Sequence, residues 1–202
     1  MSRGFFRSTA VVGITTLLSR ITGLVRDVVQ AVMIPAVFLE VYVLANQIPN
    51  LLRRLFAEGA FSQAFVPVVA EYKANRSKED VRELVDSVSG TLGSFLAIVS
   101  VIGVIAAPVI VAICAPGFTT KEVGQFGLAV DMLRWTFPYL LFVSLTALAG
   151  GVLNSYQQFA LPAFTSVVLN VVLIVFAAYV SPHFEQPVMA LAVGVFVGGV
   201  IQ

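Results

Sequence analysis

"SVSGTLGSFLAIVSVIGVIAAPVIVAICAPGFTT", residues 87–120, contains no Asp, Glu, Lys, Arg or His. The hydrocarbon core of a bilayer is crossed by about 20 mostly apolar residues, and this run provides more than that before Pro116-Gly117 closes it. The chain around it has the same character. Its 202 residues are 58% hydrophobic and 11% charged, whereas a soluble domain carries about 25% charged residues. The expected fold class is all-α: a polytopic membrane helical bundle.

Working outward from this third span (84–113), a first is expected over 8–30 and a second over 36–56, kinked near Pro49. Residues 135–184 again contain no Asp, Glu, Lys or Arg, and are too long for one crossing. The polar, proline-ended "NSYQQFALP" (154–162) is the place to turn. That divides the stretch into spans at 126–153 and 162–180. After a tight turn at "SPHFEQP" (181–187), a sixth span begins at Val188 and stops at Gln202. Its length is short for a full crossing, so the expectation is a chain cut within about six spans. The opening "MSRGFFRSTAVVGITTLL" superficially suits a signal peptide. No A-x-A-like cleavage site follows, and it is taken as a retained first span.

Several function classes find no support. A net charge of +1 gives no global field for nucleic acid. The single cysteine, Cys114, excludes an internal disulfide and a cysteine metal cluster. No Gly-rich phosphate loop, metal-ligand cluster or Ser/His/Asp constellation is present. Neither catalytic residues, a metal nor a cofactor is expected, and the chain is not read as an enzyme.

Basic residues orient the spans, because cytoplasmic loops are enriched in them. Arg3, Arg7, Arg53, Arg54, Lys73, Arg76, Lys78 and Arg82 fall on one side and Lys121 on the other. The N-terminus and residues 57–83 are therefore expected inside, with 115–123 and 181–187 outside. Residues 71–86, "EYKANRSKEDVRELVD", suit a solvated helix start with Ser77 and Asp80 as its cap.

Charges inside the spans carry the functional information. Arg20 lies about 12 residues, or roughly 18 Å, into the first helix; Arg26 and Asp27 follow, and Glu40 sits early in the second span. Each costs at least about 2.5–3.5 kcal/mol near a bilayer centre on insertion scales. At about 100° per residue, Arg20 and Asp27 share a face, while Arg26 points roughly 120° from Arg20. One intrahelical ion pair does not satisfy all of them. Snorkelling is the plain reading, above all for Arg26 and Asp27 near the helix end. The functional one is a wet, net positive cavity. Asp131 and Arg134 suit a local helix pair. Pro108 and Pro138 mark kinks or breaks.

"SRITGLVRD" (19–27) with "IPNLLRRLFAEGAFSQAFVPVVAEYK" (48–73) closely resembles the MurJ (MviN) family of bacterial lipid II flippases. "APGF" (115–118), "FPYLLFVSLTALAGGVLNSYQQFALPAF" (137–164) and "VGGVIQ" (197–202) extend the likeness over nearly the whole chain. The resemblance implies the first lobe of a two-lobed transporter, lacking its C-terminal lobe, in the bacterial cytoplasmic (inner) membrane with its N-terminus inside. It implies a substrate, lipid II, whose undecaprenyl pyrophosphate bears a disaccharide-pentapeptide. Substrate contact is implied for Arg20, Arg26 and Arg53, and for Glu40, which stands where the family commonly has aspartate. Ser19, Asp27, Asn50, Arg54 and Glu58 are implied in support. The arginine fork suits phosphate oxygens, the polyprenyl tail stays among membrane lipid, and alternating access moves the head group across. Membrane potential or an ion gradient is a plausible drive.

Three alternatives remain open. An exporter of cationic drugs in the same superfamily would favour intramembrane carboxylates, but here Arg20, Arg26 and Arg53 face only Asp27 and Glu40. A flippase for another polyprenyl-pyrophosphate-linked saccharide shares the anion and is opposed only by the "PNLLRRLFAEGAFSQAF" string. A membrane scaffold would pair its buried charges internally rather than expose them to a cavity.

Overall fold

The computed structural model describes residues 3–54, 60–120, 124–156 and 158–202. The regular structure among them is helical: α1 (Arg3–Met33), α2 (Ala36–Arg53), α3 (Ala60–Asn75), α4 (Lys78–Cys114), the short α5 (Gly117–Thr120), α6 (Gln125–Thr136), α7 (Tyr139–Ser155), α8 (Ala160–Val175) and α9 (Pro187–Ile201). A π-helical turn (Phe176–Val180) and a 3₁₀ turn (Ser181–His183) continue α8. The all-helical expectation holds.

Proline sets several boundaries. Pro35 begins the next segment with φ −57° and ψ 139°, and a residue preceding proline is held out of the helical region, so α1 and α2 are separate rods. Pro138 separates α6 from α7, although Gln125–Ser155 together make one membrane-length unit. Pro49 and Pro108 lie inside α2 and α4 without ending them. A proline within a helix leaves the carbonyl four residues earlier without its donor. For Pro49 that carbonyl belongs to Ala45, and the buried Thr136 hydroxyl of α6 donates to it at 3.0 Å. A second helix repairs the gap, as membrane interiors require.

The first turn of α4 is closed by a capping box. The Asp80 amide donates to Ser77 Oγ, and the Ser77 amide donates to Asp80 Oδ2, both at 3.1 Å. Asp131 and Arg134 pair at 3.2 Å, as their spacing predicts. The segment between the second and third expected spans differs from a plain solvated connection. Its "AFSQAFVPVVAEYKAN" forms α3, and Phe65 and Val69 are buried in a cluster with Leu92, Leu96, Leu140 and Leu148. Lys73 at its end donates to the Ser155 carbonyl at 2.8 Å and lies 4.3 Å from the Tyr156 ring centre. Charge-based reading marked the ends of this segment and overlooked the apolar face between them.

The core gathers around α6, whose Met132, Leu133 and Thr136 are fully buried against α2, α4 and α9. Glycines allow the closest approaches. Gly103 of α4 lies under the buried Phe137 ring, leaving no room for a Cβ. α1 docks along α8.

The outward surface is the reverse of a soluble protein's. Ile98, Ile105 and Ile113 of α4 are 60%, 74% and 74% exposed, and Phe95, Val101, Ile102 and Val109 extend the same apolar band. In water such a band would far exceed the few hundred Å² a monomer tolerates; in lipid it is the stable arrangement. By length and composition, Lys78–Cys114, Gln125–Ser155 and Ala160–His183 are each sufficient to cross a membrane, while Ala36–Leu52 and Pro187–Ile201 are apolar but shorter. The protein is a multi-pass membrane protein.

Candidate functional site

Ser19, Gly23 and Arg26 follow one another at helical spacing on α1, so one face turns all three toward α8. The helices run close at Gly23, where a Cβ would make an ordinary contact with Asn170 Nδ2 at 3.6 Å. Asn170 is 6% exposed and sits in the otherwise apolar "SVVLNVVLIV" of α8. Its Oδ1 accepts from Arg26 Nη1 at 2.9 Å. Asp27 Oδ1 accepts from the other edge of the guanidinium, from Nε at 3.0 Å and Nη2 at 2.7 Å. These bonds use one N–H on each nitrogen. The second N–H of each Nη has no partner among the described residues.

Arg26 borders open space. A cavity of about 790 Å³ lies between α1, α2, α7 and α8, lined by Ser19, Arg26, Asn50, Thr146, Asn154, Thr165, Ser166 and Asn170 among others. A narrower cavity of about 400 Å³ adjoins it, with Asp27, Gln30, Tyr42, Asn46 and Gln47 in its wall. Arg26, Asn50, Tyr139 and Leu169 belong to both, so they form the waist. Among the described residues, the polar lining apart from the Arg26–Asp27 pair is uncharged, offering hydroxyls and carboxamides. The trough therefore has a localised cation at its middle and neutral hydrogen-bonding walls on both sides. Charged groups bonded this way hold anions through short, charge-assisted contacts.

The other expected site residues are distributed differently. Ser19 and Asn50 line the trough beside Arg26. Arg20 and Glu40 are exposed, line neither cavity and form no ion pair with any described residue. Arg20 and Asp27 lie about two turns apart on one face of α1, yet Asp27 lines the narrower cavity and bonds to Arg26 while Arg20 does neither. Arg53 is the last residue of α2, and its side chain lies outside the described residues. Arg54 follows it, exposed and away from both cavities. Glu58 lies outside the described residues. Sequence reasoning missed Asn170, Thr146, Asn154, Thr165, Ser166 and Gln30. The signal for Asn170 was an amide alone in an apolar helix.

The described helices thus form a multi-pass membrane bundle with a polar trough sunk between them and an arginine at its waist. The family model described as "Lipid II flippase MurJ" matches residues 29–202, and the chain belongs to that family. Among curated relatives, "Probable lipid II flippase MurJ" of Vibrio cholerae serotype O1 is 46% identical over 209 residues, covering 100% of this chain and 40% of the relative. "Lipid II flippase MurJ" of Burkholderia cenocepacia is 49% identical, covering 98% and 38%. A solved structure, "Lipid II flippase MurJ, inward closed conformation", superposes with a TM-score of 0.67 at 25% identity, covering 95% of this chain and 41% of that one. The chain thus spans about two fifths of the length of these relatives.

Proposed function

We propose that this bundle carries part of the head-group path of a lipid II flippase, moving the precursor from the inner to the outer leaflet of the bacterial cytoplasmic membrane. The observation that carries the reading is the waist: one arginine with unspent donors between two neutral polar cavities, in a chain of the MurJ family. A pyrophosphate would engage Arg26 while sugar and peptide groups meet the hydroxyls and carboxamides beside it. Arg53, next to the waist in sequence, and Arg20 and Glu40 on the outward side of the bundle would contribute once a second helical lobe faces this one. The two lobes would alternate access by rocking, with the tail in lipid and the membrane potential or an ion gradient as the drive. No catalysis is involved in this reading.

Complementation tests it. In cells depleted of their lipid II flippase, the protein as the cell makes it is expected to restore growth and precursor export. Residues 1–202 expressed alone should insert without restoring either. A well-inserted complete protein that rescues nothing would end the flippase reading; rescue by residues 1–202 would end the two-lobe mechanism.

Orientation has a separate test. Ser77 is exposed at the start of α4, and the basic residues around it support a cytoplasmic position. A Ser77→Cys variant, with Cys114→Ala to remove the native thiol, should resist membrane-impermeant thiol reagents in intact cells and label after the membrane is opened. Labelling in intact cells would reverse the topology.

A further inference from the structure

We propose that Asn170 is the positioning residue for Arg26, a carboxamide latch that fixes the guanidinium plane and ties α8 to α1. In its substrate role this inference rests on the flippase reading; as a contact between helices it does not.

The amide has one orientation that satisfies its surroundings. Arg26 has only donors, so the oxygen of Asn170 must face it, at 2.9 Å from Nη1. The nitrogen then points to the Ser19 carbonyl and to Thr22 Oγ1, both at 3.2 Å. The Ser19 carbonyl only accepts. The Thr22 hydroxyl is turned toward the Leu18 and Ser19 carbonyls, leaving its lone pairs to accept. Both ends of the amide are therefore fixed by partners that permit no reversal. An asparagine in an apolar membrane helix is costly unless bonded, and all of these bonds go to α1.

Asp27 alone would not aim the arginine. It adjoins Arg26 on the same helix and its side chain is 63% exposed, so a pair held only there could swing together. Asn170 grips the opposite edge from a different helix. With both edges held, the spare N–H of each Nη is presented at the waist. Asn170 touches the arginine and not the ions beyond it; its effect on ligand capture passes through Arg26.

Asn170→Leu keeps the volume and removes every bond. In the complete protein in detergent, affinity for a short probe, farnesyl pyrophosphate, is expected to fall about tenfold, the equivalent of one charge-assisted hydrogen bond. In an Arg26→Ala background the same substitution should change affinity less than about twofold, because its effect is routed through the missing side chain. Equal losses in both backgrounds would make Asn170 a packing residue and overturn the proposal. Proton exchange of the Arg26 guanidinium, followed by nitrogen-15 NMR, reads the latch without any ligand and should accelerate in Asn170→Leu. Thr22→Val removes one acceptor for the amide and should move the exchange in the same direction, more weakly, should the leucine variant not fold. Unchanged exchange in a folded variant overturns the latch. Failure of the wild-type protein to bind the probe counts against the flippase reading alone, with guanidinium exchange still deciding the latch.

Discussion

Arg26→Ala is expected to reduce lipid II export by about ten- to a hundredfold while the variant remains in the membrane at the wild-type level. The magnitude follows from losing charge-assisted contacts worth roughly 1.5–3 kcal/mol at the waist shared by both cavities. The unchanged membrane level follows from Asp27. Removing one partner of a buried ion pair strands a charge and is severely destabilising, but the Asp27 side chain is 63% exposed and the stranding is mild. Arg26→Lys should recover part of the activity, since it keeps the charge and loses the planar fork. Measuring precursor export beside membrane abundance separates the outcomes. If Arg26→Ala vanishes from the membrane and Arg26→Ala with Asp27→Ala returns to it, the arginine is a structural partner. Full export by a well-expressed variant removes Arg26 from the path.

Gly103→Ala should be the most damaging single methyl in the bundle. The new Cβ would lie within the ring of Phe137, which is 2% exposed and held at the α6–α7 break. Ordinary overpacking costs about 1–3 kcal/mol; here the new Cβ falls on the carbons of a buried ring, and the upper end or beyond is expected. α4 and α6 must separate, taking the Thr136 repair of α2 with them. A marked fall in melting temperature in detergent and a reduced membrane level would register it. Gly90 on the same helix is the control: nothing lies within 4 Å of its Cβ position, so Gly90→Ala should be neutral or gain up to roughly 1 kcal/mol. Equal stability of the two variants would refute the packing of Phe137 on Gly103.

The sequence revealed rods more readily than contacts. Uncharged runs and the punctuation at Pro116, "NSYQQFALP" and "SPHFEQP" define most spans because the lipid imposes length and apolarity locally. Arg26 was visible for the same reason, a cation where lipid penalises cations. Asn170 was not, because an amide is cheap enough to pass among apolar neighbours, and its partner is 144 residues away. α3 was obscured by flanking charges that describe its ends, while Phe65 and Val69 in between find their burial only once α4 and α7 are in place. The separation of Arg20 from Arg26 was geometrically readable from the helical angle. Which of the two faces would meet the trough depended on where α8 docks, and no residue of α1 states that.

The Thr136 hydroxyl bonded to the Ala45 carbonyl acts as an index pin between two rods. Apolar faces slide past one another at little cost, since one methyl is much like the next. A carbonyl left without its amide by Pro49 is unlike its neighbours in the interior of α2, and the Thr136 hydroxyl of α6 meets it. The consequence is a loss of one degree of freedom: α2 and α6 keep their mutual height, and any rearrangement of the bundle must carry them as a unit. The proline and the threonine are then two halves of one instruction, and a chain that dropped either would be free to drop the other.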